Sequence, residues 1–230
     1  MRFNNMNKKS YIFITIVLLL LVVIFSGCAR KKPDRVKDLI ADLDYVDKFI
    51  QIEAAEELAE IKDPRAVDPL IAILSDPNEE VRTAGVIALG KLKDPRAIIP
   101  LIQMFRDESL GVRKNAAIAL QNMGFESIDP LIGSLNDPDA RVRENAAEAL
   151  GKKAEPKAVV PLINLLADKD MEVRQATVNA LAMIGDERAI APLEQLLVVE
   201  VKLQNWDIVE DIQDALQGLG QAEIYFKEKD

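Results

Sequence analysis

A unit of about 31 residues recurs along most of this chain. Val81, Val112, Val142 and Val173 open the matching segments VRTAGVIALGKLKDPRAIIPLI, VRKNAAIALQNMGFESIDPLI, VRENAAEALGKKAEPKAVVPLI and VRQATVNALAMIGDERAIAPLE. Ile50 and Ile208 open weaker copies, so successive starts are separated by 31, 31, 30, 31 and 35 residues. A chain patterned this way stacks each unit on the next, and its core runs along the stack.

Within a unit, Val81, Ala84, Gly85, Ala88, Leu89 and Leu92 fall at the i, i+3, i+4, i+7, i+8 and i+11 spacing of one helix face. Val67, Leu70, Ile71 and Leu74 repeat that spacing on a shorter second helix. Asp63-Pro64 and Asp94-Pro95 join the two, with Asp suited to the N-cap and Pro to the first helical position. Pro69, Pro100, Pro130, Pro161 and Pro192 come about a turn later and are expected to restart or bend the second helix. Small residues at 84, 85 and 88, and at Ala116, Ala119, Ala146, Ala149 and Ala180, predict close stacking of the first helices.

The fold class is therefore all-α, an α-solenoid of stacked antiparallel helix pairs. It spans residues 35–220 as a half repeat, five full repeats and a final helix from Ile208 to Leu219. Residues 221–230 form a tail whose Ile224, Tyr225 and Phe226 are expected to cover the last layer. The recurring V-R-x-x-A-x-x-A-L and A-[VI]-x-P-L-[IE] pairs resemble HEAT-like repeats of the short type found in phycobilin lyases. That resemblance implies the fold and leaves function open, because sites are grafted onto such scaffolds.

The N-terminal end reads differently. MRFNNMNKKS is a basic leader without an acidic residue, and Tyr11 to Phe25 is an apolar run broken only by Thr15, the length of a signal-peptide core. Phe25-Ser26-Gly27-Cys28 then resembles a bacterial lipoprotein signal, in which the cysteine is lipid-modified and becomes the new N-terminus; Phe25 departs from the usual aliphatic residue. The expected division is a signal peptide over 1–27 and a lipidated Cys28 with a short basic tether over 28–34. An uncleaved anchor helix is the competing reading, and both place the body outside the cytoplasm on a membrane. The linker Ala29 to Asp34 reaches at most about 20 Å, and Ala29 is not the aspartate of an inner-membrane retention signal. Outer-membrane attachment follows as the expectation if the host has one.

Composition removes several classes of function. The chain has no histidine and one cysteine, so no intrachain disulfide and no zinc or iron site of ordinary ligand type is available. Neither a metal nor a cofactor is expected. Net charge is −9 with the leader wholly basic, and no lysine or arginine stripe is visible, so nucleic acid is not expected as a partner.

Arg82, Arg113, Arg143 and Arg174 each follow Asp76, Asp107, Asp137 or Asp168 by six residues. They are expected to form a structural ladder between units, with both members lost at the ends, where Tyr45 and Gln51, then Val199 and Val209, hold the positions. The second helices should line the concave face, with outward positions that are small, amide-rich and mostly uncharged. Gln103, Arg106, Asn136, Asn164 and Gln195 are the candidates there for binding an extended peptide, against a merely solvated face. Trp206, in the insertion VVEVKLQNWD, is a sixth candidate if that stretch is a binding loop, or else a plug for the end of the array. Lys153 stands where Ile61, Leu92, Met123, Ile184 and Leu219 stand in other units, and its stem is expected to snorkel to a helix end.

No nucleophile is paired with a base, so the chain is not expected to be an enzyme. The leading expectation is an exported, lipid-anchored scaffold that binds a protein partner in the cell envelope. The alternatives are a phycobilin-lyase-like enzyme or small-molecule binder on the same scaffold, and a self-assembling structural component. Deoxyhypusine hydroxylase also uses such repeats, but its histidine iron ligands have no counterpart here.

Overall fold

The computed structural model describes residues 34–220. The expected signal segment, Cys28, most of the expected tether and the tail with Ile224, Tyr225 and Phe226 lie outside them. The described residues form twelve α-helices and no strand. A lone α1 (Arg35–Asp42) is followed by five pairs: α2 (Lys48–Ile61) with α3 (Val67–Ala72), α4 (Glu79–Leu92) with α5 (Ile98–Gln103), α6 (Leu110–Asn122) with α7 (Ile128–Ser134), α8 (Ala140–Lys152) with α9 (Val159–Leu165), and α10 (Met171–Ile184) with α11 (Ile190–Leu203). The single helix α12 (Trp206–Gly218) closes the array. None of these helices is long and apolar enough to cross a membrane.

Each corner follows from a few polar atoms. Between the helices of a pair, Asp63 and Asp94 accept from the amides of Arg65 and Arg96, and Pro64 and Pro95 sit just inside a short 3-10 turn that runs into the second helix. Between pairs, Asp47, Asn78, Asp139 and Asp170 cap the long helices. The recurring prolines do not restart the second helices, which begin two residues before them. Pro69 is the third residue of α3, within the first turn, where an amide has no intrahelical acceptor to lose.

The core is one continuous row of Leu, Val, Ile and Ala, in which Leu58, Leu89, Leu120, Leu150 and Leu181 are fully buried at equivalent positions of the long helices. The tightest approaches between neighbouring long helices are made by glycines. A Cβ on Gly90 would lie 2.7 Å from Cβ of Ala119, and one on Gly151 would lie 2.6 Å from Cα of Ala180. Gly133, on the exposed side of α7, has nothing within 4 Å.

The 35-residue spacing is not a loop. Its extra residues lengthen α11 to 14 residues, about twice the length of α9, and Trp206 starts α12 directly afterwards. Trp206 is half-buried and packs against the core, which corrects the expectation of a loop-borne binding residue.

Gly151→Ala is expected to lower stability by about 1 kcal/mol or more, because overpacking against the α10 backbone outweighs alanine's better helix propensity. Gly133→Ala, with open space around it, is expected to raise stability by up to about 1 kcal/mol. Urea unfolding midpoints of the two variants check the contrast.

Candidate functional site

The Asp/Arg ladder is built at the corners between pairs. In each corner the aspartate first shapes the turn: Oδ1 of Asp107 accepts from the amide of Ser109, and Oδ1 of Asp168 from that of Asp170, both at 2.9 Å. The arginine six residues later turns back to its own corner. Nη1 of Arg82 donates to the carbonyls of Asp76 and Pro77, and Nη1 of Arg143 to those of Asp137 and Pro138. The other edge of the same guanidinium reaches the next unit. Nε and Nη2 of Arg82 close on Asp107 at 2.7 and 2.8 Å, and those of Arg143 close on Asp168 at the same distances. Each rung therefore joins an arginine to the aspartate 25 residues ahead.

The ladder does not stop at the ends as the sequence suggested. Nε2 of Gln51 takes the arginine's place and donates to Leu43 O at 2.9 Å and to Asp76 at 3.3 Å. At the other end Glu200, one residue beyond Val199, accepts from Nε of Arg174 at 2.7 Å and is itself 1% exposed. A neutral amide opens the row, and a longer carboxylate makes up for a one-residue shift at its close.

The middle of the array breaks the pattern. The third unit is one residue shorter, and Asp137 is held by Arg106 instead of Arg113. Arg106 is thus committed to a structural ion pair, which corrects its reading as a free partner-binding residue. The shortened turn also lacks the Asp-Pro corner. Ser127 replaces the alanine of other units and donates to Leu120 O and Gly124 O, and Gln121 stands where Gly90 and Gly151 stand, with Nε2 buried and unpartnered. Lys153 reaches back from the fourth unit, donating to Gln121 O at 3.1 Å and Gly124 O at 2.7 Å, so its ammonium caps the C-terminal end of α6. Burial holds that ammonium below its ordinary value.

Gln103, Arg106, Asn136, Asn164 and Gln195 are all exposed. Among them, the side chains of Gln103, Asn136, Asn164 and Gln195 make no hydrogen bond among the described residues, so four carboxamides in four consecutive units face solvent unpaired. Beside Gln195, a groove of about 510 Å³ runs between α9 and α11, walled by Ile163, Leu166, Leu196, Val199 and Leu203 and floored by the Arg174–Glu200 pair. The lengthened α11 builds this groove. The 35-residue spacing pointed to the region, and no feature of the sequence announced its form.

Two features went unseen in the sequence. Arg65, Arg96, Lys157 and Arg188 do form a basic row along the corners within pairs, but each is bound to a carboxylate: Asp34 and Asp63, Asp68 and Asp94, Asp129, and Asp186. The row is therefore neutralised. On the opposite face, Glu144, Glu148 and Glu172 line a cleft of about 310 Å³, and burial together with Glu148 pushes the Glu144 carboxyl up. No nucleophile accompanies it. Among the described residues no group of three or more His, Cys, Asp or Glu side chains is placed to hold a metal.

Burial alone would push the Asp168 carboxyl up, but the Arg143 guanidinium, the Asp170 amide and nearby positive charge outweigh it and hold the group below its ordinary value of 3.8. The rung's contribution is then present above that value and is lost as pH falls through the lower folded value. Arg143→Ala strands a carboxylate whose side chain is 9% exposed and is expected to cost about 3 kcal/mol at pH 7. The loss should shrink below pH 3.8, and the double variant Arg143→Met/Asp168→Leu should recover most of it. Unfolding midpoints at the two pH values measure both effects.

The HEAT repeats family pattern matches residues 36–121 and 128–205. The shortened corner falls in the gap between the two stretches. No curated protein matches the sequence. Among solved structures, the chain is similar to a TOG-domain structure of crescerin (19% identity, 80% of this chain and 89% of that chain, TM-score 0.55). It is also similar to a designed armadillo repeat protein in complex with the peptide (KR)4 (23%, 80% and 99%, TM-score 0.44). Human deoxyhypusine hydroxylase in complex with glycerol is a third (20%, 82% and 85%, TM-score 0.40). At these identities the likeness is one of fold. With the family pattern matched over most of its length, the chain belongs to the HEAT-repeat family.

Proposed function

We propose that this protein is an exported, lipid-anchored scaffold without catalytic activity, tethered through Cys28, whose concave face binds an extended segment of a protein partner in the cell envelope. The observation that carries the reading is the row of unpaired carboxamides on Gln103, Asn136, Asn164 and Gln195. A carboxamide offers both donors and acceptors, the complement of a peptide backbone. Neighbouring helices lie about 8–10 Å apart, and an extended chain advances about 3.3 Å per residue, so one carboxamide per unit meets about every third residue of a bound strand. The lipoprotein-like signal supports the location: a tether of six residues holds the first unit close to the bilayer, at the outer membrane if the host has one.

Cross-linking in cells, followed by purification from membranes, tests both parts. A single partner in stoichiometric yield is expected, lost from the membrane fraction in Cys28→Ser. Asn136→Ala/Asn164→Ala should weaken its binding about tenfold or more while leaving the unfolding midpoint unchanged. Recovery of the protein alone, or an unaffected partner in the double variant, contradicts the reading. A visible absorption band in the purified protein would support the pigment-enzyme alternative.

A further inference from the structure

One arginine of the ladder has a seat and no partner. Arg113 is docked like Arg82 and Arg143, with Nη1 donating to the carbonyls of Asp107 at 2.8 Å and Glu108 at 3.1 Å. In its two neighbours the remaining edge of the fork, Nε and Nη2, closes on a carboxylate. In Arg113 that edge meets no acceptor among the described residues. The cause is the shortened third unit: Asp137 lies 24 positions ahead where Asp107 and Asp168 lie 25 ahead of their arginines, and Arg106 has taken it. Arg113 is also more open to solvent than Arg82 and Arg143, each 6% exposed.

We propose that the free edge of the Arg113 guanidinium is a binding seat for a carboxylate from outside the chain, an Asp or Glu side chain or a C-terminus of the protein partner. The occupied rungs define what fits. The same fork takes Asp107 and Asp168 through both nitrogens, and the Arg174 seat takes the longer Glu200, so both carboxylate lengths are accommodated. Arg113 stands on α6, between α5 and α7 in the chain, and is half-buried rather than closed off. Nearby negative charge does not fill the seat: Asp107 is neutralised by Arg82, and Glu144, close enough to feel the charge of Arg113, accepts no hydrogen bond from it. A fork already fixed by two carbonyls has little freedom left to lose on binding, and its planar donor pair selects carboxylate geometry in a way a lysine does not.

The assignment to the concave partner rests on the function proposed above; the seat itself does not. Nitrogen-15 NMR of arginine side chains in the lipidated protein, held in detergent and titrated with sodium acetate against sodium chloride at equal ionic strength, reads it directly. The Nε–H signal of Arg113, assigned by its absence in Arg113→Lys, is expected to shift saturably with acetate only, while Arg82 and Arg143 stay still. A response no different from chloride's overturns the proposal. So does an Arg113 signal that changes in Asp137→Asn before any acetate is added, because Asp137 would then close the rung in solution. With a recovered partner, Arg113→Lys should weaken binding about tenfold. Saturable acetate binding with no partner recovered would keep the seat and remove the scaffold reading.

Discussion

The array depends on a guanidinium that serves two units at once. One edge of Arg82 or Arg143 satisfies carbonyls at its own corner, and the other edge holds the aspartate that shapes the next corner. Local turn geometry and the stacking of neighbouring units are thereby set by the same atoms. At the depth of Arg82 and Arg143 an arginine or an aspartate left alone would carry an uncompensated charge, and the one arginine left half satisfied, Arg113, is less buried. The substitutions at the ends follow from that: Gln51 opens the row with a neutral donor, and Glu200 supplies the last acceptor from one position further along.

A single shortened unit has consequences spread from Arg106 to Lys153. With one residue missing between Arg113 and Asp137, the corner loses its Asp-Pro cap, and the end of α6 is finished by the hydroxyl of Ser127 and the ammonium of Lys153 instead. The ladder aspartate goes to Arg106, Arg113 is left half satisfied, and Gln121 stands in a position where other units pack glycine. Lys153 looked anomalous as an isolated residue. Beside the open carbonyls of the preceding unit it is a helix cap, and its depressed pKa comes from burial rather than from chemistry.

Much of this was legible in the sequence because the repeat reports each position several times. Helix faces, corner caps and the outward row from Gln103 to Gln195 all came from reading one unit against the next. The partner of each ladder arginine did not, because six residues and 25 residues are equally good spacings until the direction of the side chain is known. The insertion near Trp206 was visible as a number, but VVEVKLQ continues the helical pattern of α11, and length alone does not separate a loop from a longer helix. Arg106 was misread for a related reason: its exposure is real, and its ion pair depends on a shift of one residue in the following unit.

The proposed function puts a protein partner on the carboxamide row of the second helices, rather than on the first helices or the ends of the array. A photo-reactive amino acid placed at Asn164, and separately at the exposed Ile118 of the first helix α6, reads this in living cells. One discrete cross-linked product is expected from position 164 and none from position 118. A product from position 118 alone, or the same product from both, would contradict it.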